Sequence, residues 1–155
     1  MQRKKTHSRI KSFRKQLQRN LETRGDVREY KPTGMAVAHW FTKLNTVLFG
    51  NRLGRVHIEI KKLHKDWGRC VAHWDGRHAP AGRFNQRKLP HHIVEGYYIQ
   101  LHCKFPTWKD FIETLAHEMV HLYQMTVLKD PYSNHNQNFY AFRPKFQSAG
   151  LKLYR

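Results

Sequence analysis

Residues 117–121, which read His-Glu-Met-Val-His, constrain this chain more than any other segment. Four residues make about one turn of an α-helix, so both imidazoles project from one helix face and can share a metal ion. Two neutral histidine nitrogens supply half of a tetrahedral zinc shell, and the adjacent Glu118 can accept a proton from water. The pattern therefore predicts a Zn2+ site with a general base, the alternative being two surface histidines on an amphipathic helix.

The residues around this segment predict the helix that such a site needs. Thr107-Trp108-Lys109-Asp110 has the form of a capping box with Asp in place of Glu, and Asp130-Pro131 is a stop signal. The apolar stripe between them, at helical spacing, comprises Trp108, Phe111, Ile112, Leu115, Met119, Leu122 and Thr126. We predict a helix over about 107–128 whose stripe packs in the core and whose two histidines point away from it.

A zinc site with an open position uses three protein ligands, so one more is needed beyond this helix. Downstream of His121 the sequence offers one acid, Asp130, and one histidine, His135. We predict His135 as the third ligand, because it follows a Pro-containing turn that can fold back onto the helix. Asp130 lies near the helix end and is the alternative.

Other periodicities predict a small sheet packed on helices, which is an α+β fold. The other predicted helices are residues 35–49 and residues 136–149, the second kinked or broken at Pro144. The predicted strands are Val56 to Ile60, Gly68 to Trp74 with a turn at Asp75-Gly76-Arg77 and a hairpin partner at Ala81 to Phe84, and Gly96 to His102. Residues 85–92 are predicted to form a loop.

The charge balance points to a polyanionic partner. Lys and Arg number 29 against 11 Asp and Glu, a formal net charge of +18. Residues 1–31 are predicted to form a basic N-terminal helical arm ahead of a domain over residues 32–155. Its apolar residues are Ile10, Phe13, Leu17 and Leu21. The arm is either a phosphate-contacting element or a solvated helix packed loosely by these residues.

Length and composition exclude several classes of protein. A chain of 155 residues fits one domain, and a hydrophobic content of 39% argues against a wholly disordered basic tail. We expect neither a membrane span nor a secretory signal, because no apolar run is long enough. Cys70 and Cys103 form no C-x-x-C pair, which favours a reducing, intracellular setting. We expect both cysteines to be buried and to pack as small hydrophobic residues, with a disulfide between them as the alternative.

Aromatic and basic residues mix in the middle of the chain. They are Trp67, Trp74, Phe84 and Tyr97 among Arg69, Arg77, Arg83 and Arg87. Such a mixture can stack nucleic-acid bases and bind phosphates. It is equally typical of a half-buried sheet with a charged outer face, and the sequence leaves both interpretations open.

Several segments together resemble the SprT-like metalloprotease domain. HEMVHLYQ, followed by DPYSNHNQNF, is similar to the family's H-E-x-x-H helix and its later histidine in an H-x-x-x-F setting. Upstream, LNTVLFGNRL, WGRC and YYIQL resemble the helix and loop before the family's first strand, its Gly-Cys strand and the strand ahead of its active-site helix. The resemblance covers about residues 35–151.

This resemblance implies a zincin-like fold in which His117, His121 and His135 bind Zn2+ and Glu118 is the catalytic base. It implies cleavage of proteins bound or crosslinked to DNA, with DNA held by the basic surface as activator. We expect no membrane partner and an intracellular location, cytoplasmic or nucleoid-associated, in a bacterium or a phage-infected cell. Two features depart from the family: no Cys is spare for a DNA-binding zinc ribbon, and Asn136 replaces the Gly that often follows the third histidine.

The sequence leaves two other functions open. One is a non-catalytic nucleic-acid-binding protein with a structural zinc site, although a structural site has no use for Glu118 as a base. The other is a small metallopeptidase without nucleic acid, which leaves the charge of +18 unexplained. If the protein is an enzyme, Tyr132, Tyr140 and Arg143 are candidate oxyanion donors, although such aromatics more often belong to a core.

Overall fold

The computed structural model describes residues 2–81, 94–130 and 135–154. The helices are α1 (Gln2–Arg24), α2 (Gly34–Phe49), α3 (Trp108–Thr126), α4 (Gln137–Tyr140) and α5 (Arg143–Ser148). The strands are β1 (Arg28–Tyr30), β2 (His57–Lys61), β3 (Gly68–Trp74), β4 (Arg77–Pro80), β5 (Gly96–His102) and β6 (Phe105–Thr107). The predicted α+β class, with a small sheet packed on helices, is confirmed.

Four strands form a mixed sheet in the order β2-β5-β3-β4. β2 runs parallel to β5, and β3 runs antiparallel to both of its neighbours. The predicted strands at residues 68–74 and 96–102 have the predicted limits. One face of the sheet packs on α3 and is apolar, with Cys70, Ala72, Ile99 and Leu101 all buried.

The return strand of the β3 hairpin begins earlier than the sequence predicts. The predicted partner begins at Ala81, whereas β3 already pairs with Arg77–Pro80. Ala81 follows directly, and its N–H donates to the Cys70 carbonyl of β3 at 2.7 Å. Asp75 and Gly76 have φ values of 47° and 72°, the left-handed geometry of a two-residue turn that lets the return strand start at once. The rest of the predicted partner, and the loop predicted over residues 85–92, lie outside the described residues.

α3 lies at the centre of the core. Thr107 is the N-cap of α3, as predicted, because its Oγ1 accepts from the Asp110 N–H at 3.1 Å. The Asp110 carboxylate closes a variant of the capping box, since its Oδ2 accepts from the Thr107 hydroxyl at 2.8 Å. The apolar stripe is buried as predicted, at Trp108, Phe111, Ile112, Leu115, Met119 and Leu122. The helix ends at Thr126, slightly before the predicted limit.

The basic helix α1 packs on α2 and α3 through its C-terminal half. Leu17 is 1% exposed within the common core, and Phe13 and Leu21 pack against that core. β1 then pairs antiparallel with β6, immediately before α3. Neither three-residue strand is long enough to give a periodic signal, and the sequence did not predict them.

The C-terminal segment breaks at Pro144, as predicted, into α4 and α5. Cys70 is buried as expected, but Cys103 is exposed and both are free thiols. The prediction for Cys103 is wrong because that residue lies in the turn between β5 and β6, outside the apolar face of the sheet. Among the described residues, no helix combines the length and apolar character needed to cross a membrane.

Candidate metal centre

Two histidines of α3 and one downstream histidine converge on a single point. The Nε2 atom of His135 lies 3.2 Å from Nε2 of His117 and 3.3 Å from Nε2 of His121. The ligand atoms of all three lie within 4.8 Å of one another. The structure therefore brings together the three histidines that the sequence selects.

These Nε2–Nε2 separations fit a tetrahedrally coordinated metal ion. With Zn–N bonds of about 2.0–2.1 Å, two nitrogens of a tetrahedral shell lie about 3.3 Å apart. Imidazole nitrogens are donors that suit zinc and other late first-row metals. The cluster can hold a metal ion, and it contains three protein ligands among the described residues.

The C-terminal segment orients His117. The backbone carbonyl of Tyr154 accepts a hydrogen bond from the His117 imidazole. Burial, together with the nearby His135, lowers the pKa of His117 to about 4. The ring is therefore neutral at pH 7, as metal binding requires.

A chain of side-chain amides orients His121. Its Nδ1 lies 3.1 Å from Oε1 of Gln124, which directs Nε2 toward the cluster when Nδ1 carries the proton. The Gln124 Nε2 donates to Asn136 Oδ1 at 3.0 Å, and the Asn136 Nδ2 donates to Asp130 Oδ2 at 2.9 Å. Asp130, the alternative ligand, thus contacts Asn136 and is not part of the histidine cluster.

Asn136, where the family often has Gly, has a defined role beside His135. Its Oδ1 also accepts from the Phe139 N–H at 3.2 Å, which caps α4. The Phe139 ring packs edge-on against the His135 ring, with centroids 4.7 Å apart. The Asn136 side chain therefore connects the segment that carries His135 to both Gln124 and α4.

Glu118 faces the start of β3. It lies on α3 between the two helical histidines and is 7% exposed, and the backbone N–H of Cys70 hydrogen-bonds to its carboxylate. A Cβ at Gly68 would lie 3.1 Å from Glu118 Cγ and 2.8 Å from Thr114 Cγ2. A side chain at residue 68 would therefore force Thr114 or Glu118 to shift, and glycine lets β3 approach this part of α3 closely.

Burial, with a smaller contribution from Asp66, raises the pKa of Glu118 to about 8. A cation on the neighbouring histidines favours the ionised carboxylate, because opposite charge lowers a carboxyl pKa. His121, only 2% exposed, shares this burial. The face opposite the apolar stripe, expected to point away from the core, is therefore covered as well.

A cleft of about 560 Å³ opens onto the histidines and Glu118. Other described residues on its walls include Asp66, Trp67, Arg69, Pro80, Glu113 and Tyr154. The cleft gives the buried carboxylate and the histidine cluster a common opening.

The candidate oxyanion donors are not in this cleft, as far as the structure describes them. Tyr140 and Arg143 contact each other, with the guanidinium carbon 4.2 Å from the ring centroid, and neither is among the described wall residues. Tyr132 lies outside the described residues. Tyr154 does line the cleft, but the sequence carries no motif around it that could have singled it out.

The chain has an α+β fold in which two histidines and a buried glutamate of one helix meet a third, downstream histidine. This arrangement is typical of the zincin-like class. A family model described as the SprT-like family matches residues 37–153, which is most of the chain. The chain belongs to the SprT-like family, and this membership indicates a metallopeptidase-type function. No curated protein and no solved structure matches the chain.

Proposed function

We propose that this protein is a zinc-dependent endopeptidase that cleaves proteins bound or crosslinked to DNA. The observation that carries the proposal is the convergence of three histidine Nε2 atoms beside the buried Glu118, at a shared cleft. Membership of the SprT-like family supports the peptidase class.

The geometry favours a catalytic over a structural zinc site. Structural sites are usually closed by four protein ligands, whereas catalytic sites use three and keep one position open. Three histidines form the cluster among the described residues, and the cluster borders an open cleft. A carboxylate at Glu118 has no function in a purely structural site.

The residues divide the chemistry between them. His117, His121 and His135 would hold the metal through Nε2, and Glu118 would take a proton from the attacking water and deliver it to the leaving amine. When bound, zinc supplies Lewis-acid chemistry that polarises a carbonyl and acidifies water. The Cys70 N–H, which favours the ionised form of Glu118, would help to hold this carboxylate during the transfer.

Charge supports DNA as the partner. The chain carries a formal net charge of +18, and Lys11, Lys15 and Arg19 are exposed at four-residue spacing along α1. Cations arranged along one helix face can neutralise backbone phosphates and release counterions. A protease held on DNA in this way would meet DNA-bound proteins preferentially.

The test compares the zinc-loaded wild type with Glu118→Gln. We expect the wild type to cleave a DNA-binding protein faster when DNA is present. Glu118→Gln should retain zinc but cleave at least about 100-fold more slowly, since a general base contributes about 10²–10⁴ in rate. Gel electrophoresis measures cleavage, and mass spectrometry measures zinc.

Glu22→Gln is the matched control, because it removes the same charge at an exposed position of α1. Cleavage by Glu118→Gln at the wild-type rate would overturn the catalytic proposal. A cleavage rate that is the same with and without DNA, together with no DNA binding at low salt, would overturn the proposal that DNA is the partner.

A further inference from the structure

The segment between β2 and β3 carries an exposed tryptophan within a run of cations. Residues 61–69 read Lys-Lys-Leu-His-Lys-Asp-Trp-Gly-Arg. Trp67 is 51% exposed, whereas Trp40 and Trp108 are buried and Trp74 is half-buried. One exposed aromatic residue is ordinary by itself, so its surroundings decide whether it forms a binding surface.

The Trp67 side chain is held in position. Its indole packs edge-on against His102 at a centroid distance of 5.3 Å, and in a tilted arrangement against Phe105 at 5.8 Å. The Trp67 carbonyl accepts from the His102 N–H at 2.8 Å, and His102 Nδ1 accepts from the Leu63 N–H at 2.9 Å. A ring anchored in this way offers its exposed half as a preformed contact surface.

Residues 61–69 carry more positive than negative charge. Lys61, Lys62 and Lys65 are exposed on the same segment. Asp66, the one acid of residues 61–69, forms an ion pair with Arg69 at 3.1 Å. The three lysines therefore give the segment that carries Trp67 an exposed positive charge that suits a polyanion.

This surface adjoins the candidate catalytic residues. Lys65, Trp67 and Arg69 lie on the wall of the cleft. The next residue after Trp67 is Gly68, which approaches the side chain of Glu118 closely. A ligand held on Trp67 would lie at the mouth of the cleft.

We propose that Lys61, Lys62, Lys65 and Trp67, here named the Trp67 platform, bind single-stranded nucleic acid. An unpaired base stacks on the indole, and the lysines contact the flanking phosphates. A base within a duplex is already stacked on both faces, so the platform selects unpaired strands. Its role rests on the proposed function, because a strand held here would present an attached protein to the cleft.

A peptide side chain is the rival occupant of Trp67, since the indole lies on the cleft wall. An apolar peptide residue could use the ring, but it would make no use of three exposed lysines. Stacking and phosphate neutralisation together account for both features of the surface. Charge complementarity therefore favours the nucleic acid.

The test measures binding of a fluorescein-labelled oligothymidylate, and of its duplex with oligoadenylate, by fluorescence anisotropy of the full chain. We expect Trp67→Ala to bind the single strand about 10-fold more weakly, as loss of one stacked base predicts, and to change duplex binding little. Replacing Lys61, Lys62 and Lys65 by Gln should weaken single-strand binding and flatten its salt dependence. The matched control replaces by Gln three exposed lysines that lie outside both the platform and α1, namely Lys31, Lys129 and Lys145.

Trp67→Phe supplies a second readout. Phenylalanine keeps an aromatic face for stacking, so this variant should still bind the strand. Unlabelled oligothymidylate should quench the intrinsic tryptophan fluorescence of the wild type but not that of Trp67→Phe. Thermal unfolding of each variant establishes that the fold is intact.

Single-strand affinity unchanged in Trp67→Ala, or quenching retained in Trp67→Phe, would overturn the platform. A raised KM for peptide cleavage with unchanged strand affinity would also overturn it and assign Trp67 to the peptide. DNA-stimulated cleavage that survives in Trp67→Ala would leave the proposed function standing without the platform. A wild type that binds no DNA at low salt would overturn both the platform and DNA as the partner.

Discussion

His121 can serve a metal ion through Nε2 only in the tautomer that carries its proton on Nδ1. Gln124, fully buried one helical turn away, accepts at that nitrogen and is itself held by Asn136. Partners of this kind fix the ring orientation and raise the basicity of a ligating histidine. Gln124 is therefore a positioning residue of the proposed metal centre.

Gln124→Leu should lower zinc affinity about 10- to 100-fold, because the substitution removes the acceptor for His121. Gln124→Glu should retain more affinity, since a carboxylate can still accept from Nδ1. Competition with a chromophoric chelator measures affinity without reference to activity. Zinc affinity equal to the wild type in Gln124→Leu would contradict this role.

The spacing of residues along the sequence predicts the metal-binding histidines and Glu118, but not all of the residues that orient them. The two helical histidines and Glu118 follow from one helical turn, and His135 follows from elimination. Asn136 and Tyr154 contact the site because the segment after α3 folds back onto that helix. No local sequence pattern predicts this fold-back. Gln124 carries a usable signal, since it is three residues from His121 on the same helix face.

At the scale of elements, the C-terminal segment and α3 hold each other in place beside the cluster. The Glu113 carboxylate of α3 accepts from the Lys152 N–H at 2.5 Å, and the Tyr154 carbonyl accepts from His117. Glu113 is 6% exposed. Burial raises the pKa of this carboxyl, more than its contact with the Lys152 N–H lowers it.

The stability difference between Glu113→Gln and the wild type should depend on pH. Because the folded state binds the Glu113 proton more tightly than the unfolded chain, the contribution of Glu113 to wild-type stability falls as pH rises from the ordinary pKa of 4.5 through the folded pKa. Gln can still accept from Lys152 but does not titrate, so the variant should gain relative stability over that window. Urea denaturation between about pH 4 and pH 7 measures this.

Glu22→Gln is the control for that series, because Glu22 is exposed on α1. A difference between Glu113→Gln and the wild type that stays constant across the pH range would contradict the account.

A helix or strand can be predicted from sequence where its own residues form a long periodic pattern. A short strand that is defined by pairing with a distant segment cannot. The limits of β3 and β5 follow from their own residues, and the start of α3 follows from the Thr107 cap. β1 and β6 are too short to show a period, and they are defined by pairing with each other across the chain. The start of the return strand was predicted too late because too many residues were assigned to the turn at Asp75 and Gly76.

At the scale of the whole molecule, the basic N-terminal helix contributes to the core around α3. Leu17 is buried between α1 and the rest of the domain, while Lys11 and Lys15 stay exposed. One helix thus combines a packed apolar side with a charged outer face. The division of the chain at residue 31 stays a prediction.

Leu17→Ala should lower the free energy of unfolding by about 2–5 kcal/mol, the usual cost of removing a buried leucine side chain. The loss should appear in a single cooperative transition, because the side chain packs in the common core. Lys15→Ala, two residues away and exposed, is the control. An unchanged transition in Leu17→Ala would contradict the packing of α1.

The zinc content of the purified chain tests the central claim most directly. Mass spectrometry of protein from zinc-supplemented medium should find about one zinc ion per chain in the wild type. His39→Ala, at an exposed position of α2, should match the wild type, whereas His135→Ala should lose most of its zinc. A wild type without zinc, or a His135→Ala variant with full zinc content, would contradict a three-histidine zinc centre.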